Sequence, residues 1–229
     1  MSSRAHLLYA RLWAVICFFI TLGQALGQNP RIQIPFELQD KSLRLTEWAR
    51  QPMLLNPVAL SFDYEGRLYV VETARRGTVD IDIRSHKEWV IDDLSSETIP
   101  QLRRMFRTKM APELSEQNKS WLADRNGDGS HDWRDLMAVK ERIHLLQDTD
   151  DDGRADVAKV FAEGFNQEIN GVMAGVLPYR GDVFATIYPD VWKLNDIDDD
   201  GYADKREVFF HGFGAVSYTH LTLPTICSV

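Results

Sequence analysis

Carboxylates occur in this chain at spacings that suit a hard cation. The motif DxDxDG appears at Asp148 to Gly153 and again at Asp196 to Gly201. A calcium loop takes oxygens from positions 1, 3, 5, 9 and 12, with glycine at 6 for the sharp turn and a backbone carbonyl at 7. The later loop supplies Asp196, Asp198, Asp200, the Tyr202 carbonyl, Asp204 and Glu207, a complete set. The earlier one supplies Asp148, Asp150, Asp152, the Arg154 carbonyl and Asp156, but Lys159 stands at position 12, so this loop lacks a ligand or borrows one. A third segment, DRNGDGSHDWRD at 124–135, offers Asp124, Asn126, Asp128, Ser130, Asp132 and Asp135 and reads as an EF-hand-like loop with a helix behind it. Two carboxylates about 4 Å apart repel by about 4 kcal/mol at an effective dielectric near 20, so such clusters call for a cation. Calcium is the cofactor these spacings imply; magnesium fits crowded carboxylate cages poorly.

Other chemistry is sparse. No nucleophile elbow, phosphate-cradling loop or dinucleotide glycine pattern is present, and His86, His131, His144 and His211 are dispersed. Arg103, Arg104, Arg107 and Lys109 read as the solvated face of a helix, and Asn118-Lys119-Ser120 has the pattern of a glycosylation sequon. Glu72, Arg75 and Arg76 close a strand at a sheet edge, a place where sites often lie.

The elements that must position the loops form a repeat. DTDDDGRADVAKVFAEGF at 148–165 aligns without a gap on DIDDDGYADKREVFFHGF at 196–213, a period of 48 residues. Around the later loop, Met173–Leu177, Asp182–Ile187, Val191–Leu194 and Glu207–Phe210 read as short strands; Val58–Phe62, Arg67–Glu72, Arg142–Leu146 and Val157–Phe161 do so around the earlier one. Leu68 and Val70 fall on one face, Tyr69 and Val71 on the other. The expected fold is mainly β: the first two four-stranded blades of a β-propeller, with a helical insertion carrying the EF-hand-like loop. The blades span 57–165 and 166–214. The insertion, 74–140, shows helical spacing at Leu102, Met105, Phe106 and Met110 and again at Leu136, Val139 and Ile143.

Both ends differ from this middle. Basic residues, the apolar run 12–22 and small residues at Ala25 and Gly27 make 1–27 a secretory signal peptide, with 28–56 as a lead-in. The stretch 216–225 matches the translation of a transposase adapter, so 215–229 is expected to be a non-native tail and the natural protein to continue. Cys17 and Cys227 fall in these ends, leaving no disulfide or thiolate metal site between them. Removing Arg4 and Arg11 takes the net charge from −8 to about −10, which disfavours nucleic acid as a partner.

The segments NPVALSFDYEGRLYVVET, RIHLLQDTDDDGRADVAKVFAEGF and VWKLNDIDDDGYADKREVFFHGFG resemble the start of the membrane-bound dehydrogenase family of planctomycetes and verrucomicrobia. These are β-propellers similar to the glucose/sorbosone dehydrogenases. The resemblance covers residues 45–214 and implies a secreted or periplasmic, membrane-associated protein oxidising a sugar or alcohol. It further implies a quinone such as PQQ as electron acceptor and a cytochrome c domain downstream. No catalytic residue carries over, since the histidine-rich stretch of that family would follow Gly214. The alternative is a non-catalytic, calcium-dependent propeller that binds polysaccharide or protein.

Overall fold

The computed structural model describes residues 40–212, apart from 41, 44, 45 and 82. The expected signal peptide, the first part of the lead-in and the tail lie outside the described residues. The chain divides into two compact units, Met1–Leu45 and Thr46–Val229. In the first, the Asp40 carboxylate accepts hydrogen bonds from the hydroxyl and the backbone N–H of Ser42, which hold its carboxyl below the usual range.

The second unit is built on two four-stranded antiparallel sheets. β1 (Pro57–Phe62), β2 (Leu68–Glu72), β3 (Glu141–Gln147) and β4 (Val157–Gly164) pair in that order, and β5 (Met173–Tyr179), β6 (Asp182–Ile187), β7 (Asp190–Asn195) and β8 (Lys205–His211) do the same. The β1–β2 turn is set by Asp63, whose carboxylate accepts from the N–H of Glu65 and Arg67, and by Gly66 at φ 80°. The strands lie where alternation placed them, running one to three residues longer at several ends. The sheets also share irregularities: β3/β4 shifts register after Ile143 and β7/β8 after Val191, 48 residues on.

Alternation sorts the side chains into two cores. Tyr69, Val71, Ile143, Leu145 and Phe161 of the first sheet join Met173, Val183, Ala185, Ile187 and Leu194 of the second. On the opposite face of the first sheet, Leu68, Val70 and Leu146 are covered by a strap of the lead-in that carries Trp48, Ala49, Met53 and Leu54. Full burial of each such aliphatic or aromatic side chain contributes about 1.5–3 kcal/mol. Every residue of β2 is therefore buried, one face by strap and one by sheet.

The chain between β2 and β3 is helical, which makes the fold mixed. α1 (Val90–Leu94), α2 (Ile99–Lys109) and α3 (Ser115–Asn118) are joined by short 3₁₀ turns around a core of Val79, Trp89, Met110, Leu122 and Leu136. α2 begins at a capping box: Thr98 Oγ1 accepts from the Gln101 N–H, and the Gln101 side chain accepts from the Thr98 N–H. Arg75, fully buried, fastens this insertion to the second sheet's leading loop, donating to the carbonyls of Leu136, Val139, Gln167 and Asn170.

Two expectations fail here. Leu136, Val139 and Ile143 do not share a helix: Trp133–Met137 is a 3₁₀ turn and Ile143 lies inside β3, paired with Val71. Their three- and four-residue spacing is equally met by a turn followed by a strand, and pairing of β3 on both edges decides between them. With no α-helix behind the loop 124–135, the EF-hand-like arrangement is not formed among the described residues. Nor do two sheets by themselves close a ring. Among the described residues no helix is long and apolar enough to cross a membrane.

Candidate metal centres

All three acidic loops adopt one local backbone. The glycine at position 6 has φ of 84°, 85° and 89° at Gly129, Gly153 and Gly201, and each donates its N–H to a carboxylate oxygen of position 1 at 2.9 Å. Position 4 is also left-handed, taken by Gly127 in the first loop and by Asp151 and Asp199, at φ 60° and 59°, in the others. Aspartate tolerates this region better than most residues because its short side chain bonds locally. Beyond these positions the first loop enters a 3₁₀ turn and the other two enter strands, and the side chains differ in where they go.

In the β3–β4 loop, Asp148, Asp150 and Asp152 each bring a carboxylate oxygen within 4.8 Å of the other two. Asp156 is held aside: its carboxylate accepts from the Thr149 hydroxyl at 2.6 Å and the Thr149 N–H at 3.1 Å, and these bonds hold its carboxyl below the ordinary value. In the β7–β8 loop the group is Asp196, Asp198 and Asp204, within the same 4.8 Å. Ile197 replaces Thr149 and has no hydroxyl, so Asp204 accepts only the Ile197 N–H and turns toward the other two. Asp200 instead accepts from the Tyr202 N–H. Arg154 and Tyr202, whose carbonyls were expected to contribute, are both exposed.

Position 12 is served differently from the expected pattern. Glu207 lies in β8 beside Lys205 and Lys193, at 3.1 and 3.9 Å. Lys159 does not turn back to its own loop: its Nζ donates to the Asp200 carbonyl of the next loop at 2.6 Å. Its stem passes so close to Gly201 that a Cβ there would meet Lys159 Cδ at 2.8 Å. Arg67 reaches the same loop from the first sheet, with Nη1 2.8 Å from Asp199 Oδ1. Burial works against its charge, but the hydrogen bonds to Asp63 and Asp199 outweigh it and raise its pKa. The Ala203 N–H donates to the Phe161 carbonyl, and at the equivalent place the Ala155 N–H donates to Trp48. The β7–β8 loop is thus seated on the first sheet by two cations and a backbone bond.

In the loop 124–135 a basic side chain of the loop itself pairs with two of the four carboxylates. Arg134 bonds the Asp132 carboxylate through Nε and Nη2 and lies 3.4 Å from Asp128; this contact draws the buried Asp132 carboxyl down to about 2. Asp135, also fully buried, accepts from the N–H groups of Arg125, Asn126 and Asp132, while Asp124 accepts from Gly127 and Gly129. The Asn126 amide donates to Asp128, and the Ser130 hydroxyl donates to Asp132. No group of three converging carboxylates forms here.

The remaining candidates are bound up in packing. Arg104 and Arg107 are exposed, as expected of a solvated face, but Arg103 and Arg107 also reach the buried Glu168 carboxylate, at 3.6 and 2.7 Å, and Lys109 pairs with Asp92. The Asn118 amide is buried and donates to the His131 carbonyl, which closes the sequon in the folded protein. His144 Nε2 lies 3.3 Å from Glu72, beneath the strap, and His86 stacks on Trp89. Of all these, the bridging roles of Arg67 and Lys159 were missed, although a lysine in place of a position-12 acid was a visible signal.

No curated protein matches the chain, and no solved structure does. A family model described as "Domain of unknown function (DUF7133)" matches residues 36–223.

Proposed function

The chain belongs to the DUF7133 family, and from that premise we propose that it is an exported calcium-binding module made of two β-propeller blades. The observation that carries this reading is the pair of three-carboxylate groups on equivalent loops, 48 residues apart, each on a turn whose backbone is already bent around position 1. Three carboxylates so close repel one another, and a cation relieves that repulsion. Calcium suits the all-oxygen, flexible loops better than magnesium, which demands a tight octahedron. The β7–β8 loop also touches the first sheet through Arg67 and Lys159, so a cation there stiffens the join between blades. The loop 124–135 is left out, since no three of its carboxylates converge and Arg134 already pairs with Asp132 and Asp128.

Calorimetric titration of the chelator-stripped protein with calcium chloride tests the reading. Two sites are expected, with Asp150→Asn removing one and Asp198→Asn the other. At ten times the dissociation constant each site adds about 1.4 kcal/mol of stability, seen as a raised thermal midpoint. Absence of both heat and midpoint shift in millimolar calcium would end the reading.

A further inference from the structure

The two DxDxDG loops are seated on different supports, and the difference lies in one amide. The residue at position 8 of each is an alanine whose N–H leaves the loop. Ala203 donates to the Phe161 carbonyl of β4 at 2.8 Å, whereas Ala155 donates to the Trp48 carbonyl of the strap at 2.7 Å. The side chains divide in the same way. Ala203 packs on the core between the sheets, and Ala155 belongs to the core that Trp48, Ala49, Met53 and Leu54 cover. The strap itself is a strand of neither sheet. It is fastened at one end by the Trp48 carbonyl and at the other by the Leu55 N–H, which donates to the buried Glu72 carboxylate at 3.0 Å. Between these ends it turns on itself, the Met53 N–H donating to the Arg50 carbonyl. One of its two fastenings therefore rests on the β3–β4 loop.

The Ala155 N–H and the Arg154 carbonyl belong to a single peptide group, and a trans peptide points them in opposite directions. Arg154 stands at position 7, where a calcium loop offers its backbone oxygen. The bond to Trp48 thus fixes the direction of that oxygen, and a cation drawing on the oxygen polarises the peptide and strengthens its N–H as a donor. Given the calcium sites proposed above, on which this inference rests, we propose that cation binding at the β3–β4 loop and docking of the strap are linked. Calcium at Asp148, Asp150 and Asp152 clamps residues 48–55 onto the first sheet, and its loss loosens them. With the loop empty, three carboxylates repel across the turn that carries the strap's anchor. Leu68, Val70 and Leu146 then form the apolar face that a fall in calcium uncovers. The linkage is reciprocal: the docked strap raises calcium affinity at this loop by the same factor. The β7–β8 loop stands outside it, because its amide goes to β4.

Hydrogen exchange at the Met53 and Leu55 amides, both outside the loop, tests this in calcium and in chelator, alongside calorimetric titration of the same proteins. Calcium is expected to slow their exchange about tenfold in the wild type and in Asp198→Asn, and to leave it unchanged in Asp150→Asn. In the other direction, Trp48→Ala/Leu54→Ala should weaken calcium about tenfold at the β3–β4 loop and leave the β7–β8 loop as it was. Heat of binding from both loops with strap exchange unaltered would overturn the linkage and leave the calcium reading standing. Absence of the β3–β4 heat would end the linkage together with that half of the calcium reading. Protection of the strap that persists in Asp150→Asn would also overturn it, since the clamp would then lie elsewhere. If circular dichroism shows the strap variant unfolded, exchange in the wild type and in Asp150→Asn decides.

Discussion

Thr149 and Ile197 hold the same place in their loops, and that single difference changes which carboxylates meet. Replacing Thr149 by Val should free Asp156 to join its neighbours and tighten calcium at that loop, read as a lower dissociation constant by calorimetry with the β7–β8 loop unaffected. Arg75 carries a different kind of weight, since four carbonyls accept from it, those of Leu136 and Asn170 in buried contacts. Arg75→Met should cost about 3–5 kcal/mol in urea unfolding, because it strands those acceptors and removes the cation beside Glu141. His144 gives the pH dependence. Burial lowers its pKa, outweighing the pull of Glu72. As pH falls below about 6.5 the unfolded chain takes up the proton first, so stability declines from there until the folded imidazole also titrates. His144→Gln should flatten that decline in thermal midpoints measured between neutral and mildly acid pH. Spacing of aspartates and glycines made the loops legible, because the turn geometry is encoded locally. It could not show that Arg134 occupies the loop 124–135 or that Lys159 leaves its own loop, since both depend on how side chains meet in space.

Among the elements, the strands were the most readable, since a half-buried sheet forces period-two alternation and the repeat supplied each strand twice. The helical insertion was read correctly at α2, where Leu102 and Met105 are buried and Thr98 caps the start. Thr98→Ala should remove about 1 kcal/mol, visible as a lower denaturation midpoint at constant slope. Arg103 and Arg107 read as purely solvent-facing because the acid they serve, Glu168, lies some sixty residues along the chain. The same distance hid the strap: nothing local in Trp48–Leu54 says that it lies across the first sheet.

For the molecule as a whole, the two sheets are near copies in space but not along the chain. The second sheet is drawn from one continuous stretch, 173–211, in which each strand pairs with the next after a short turn. The first must bring β3 back to β2 across the whole insertion, between Glu72 and Glu141. Closing a long loop sacrifices chain entropy before any contact compensates for it, and such pairings form slowly. Order of synthesis and order of folding are therefore opposed: the sheet that leaves the ribosome first is the one that completes last. During that interval the second sheet is already a finished surface, and β2, paired with β1, still lacks β3 along its other edge. Pulse-labelled hydrogen exchange should find the amides of β6 and β7 protected before those of β2 and β3. A chain with its insertion shortened to a tight turn should lose that lag.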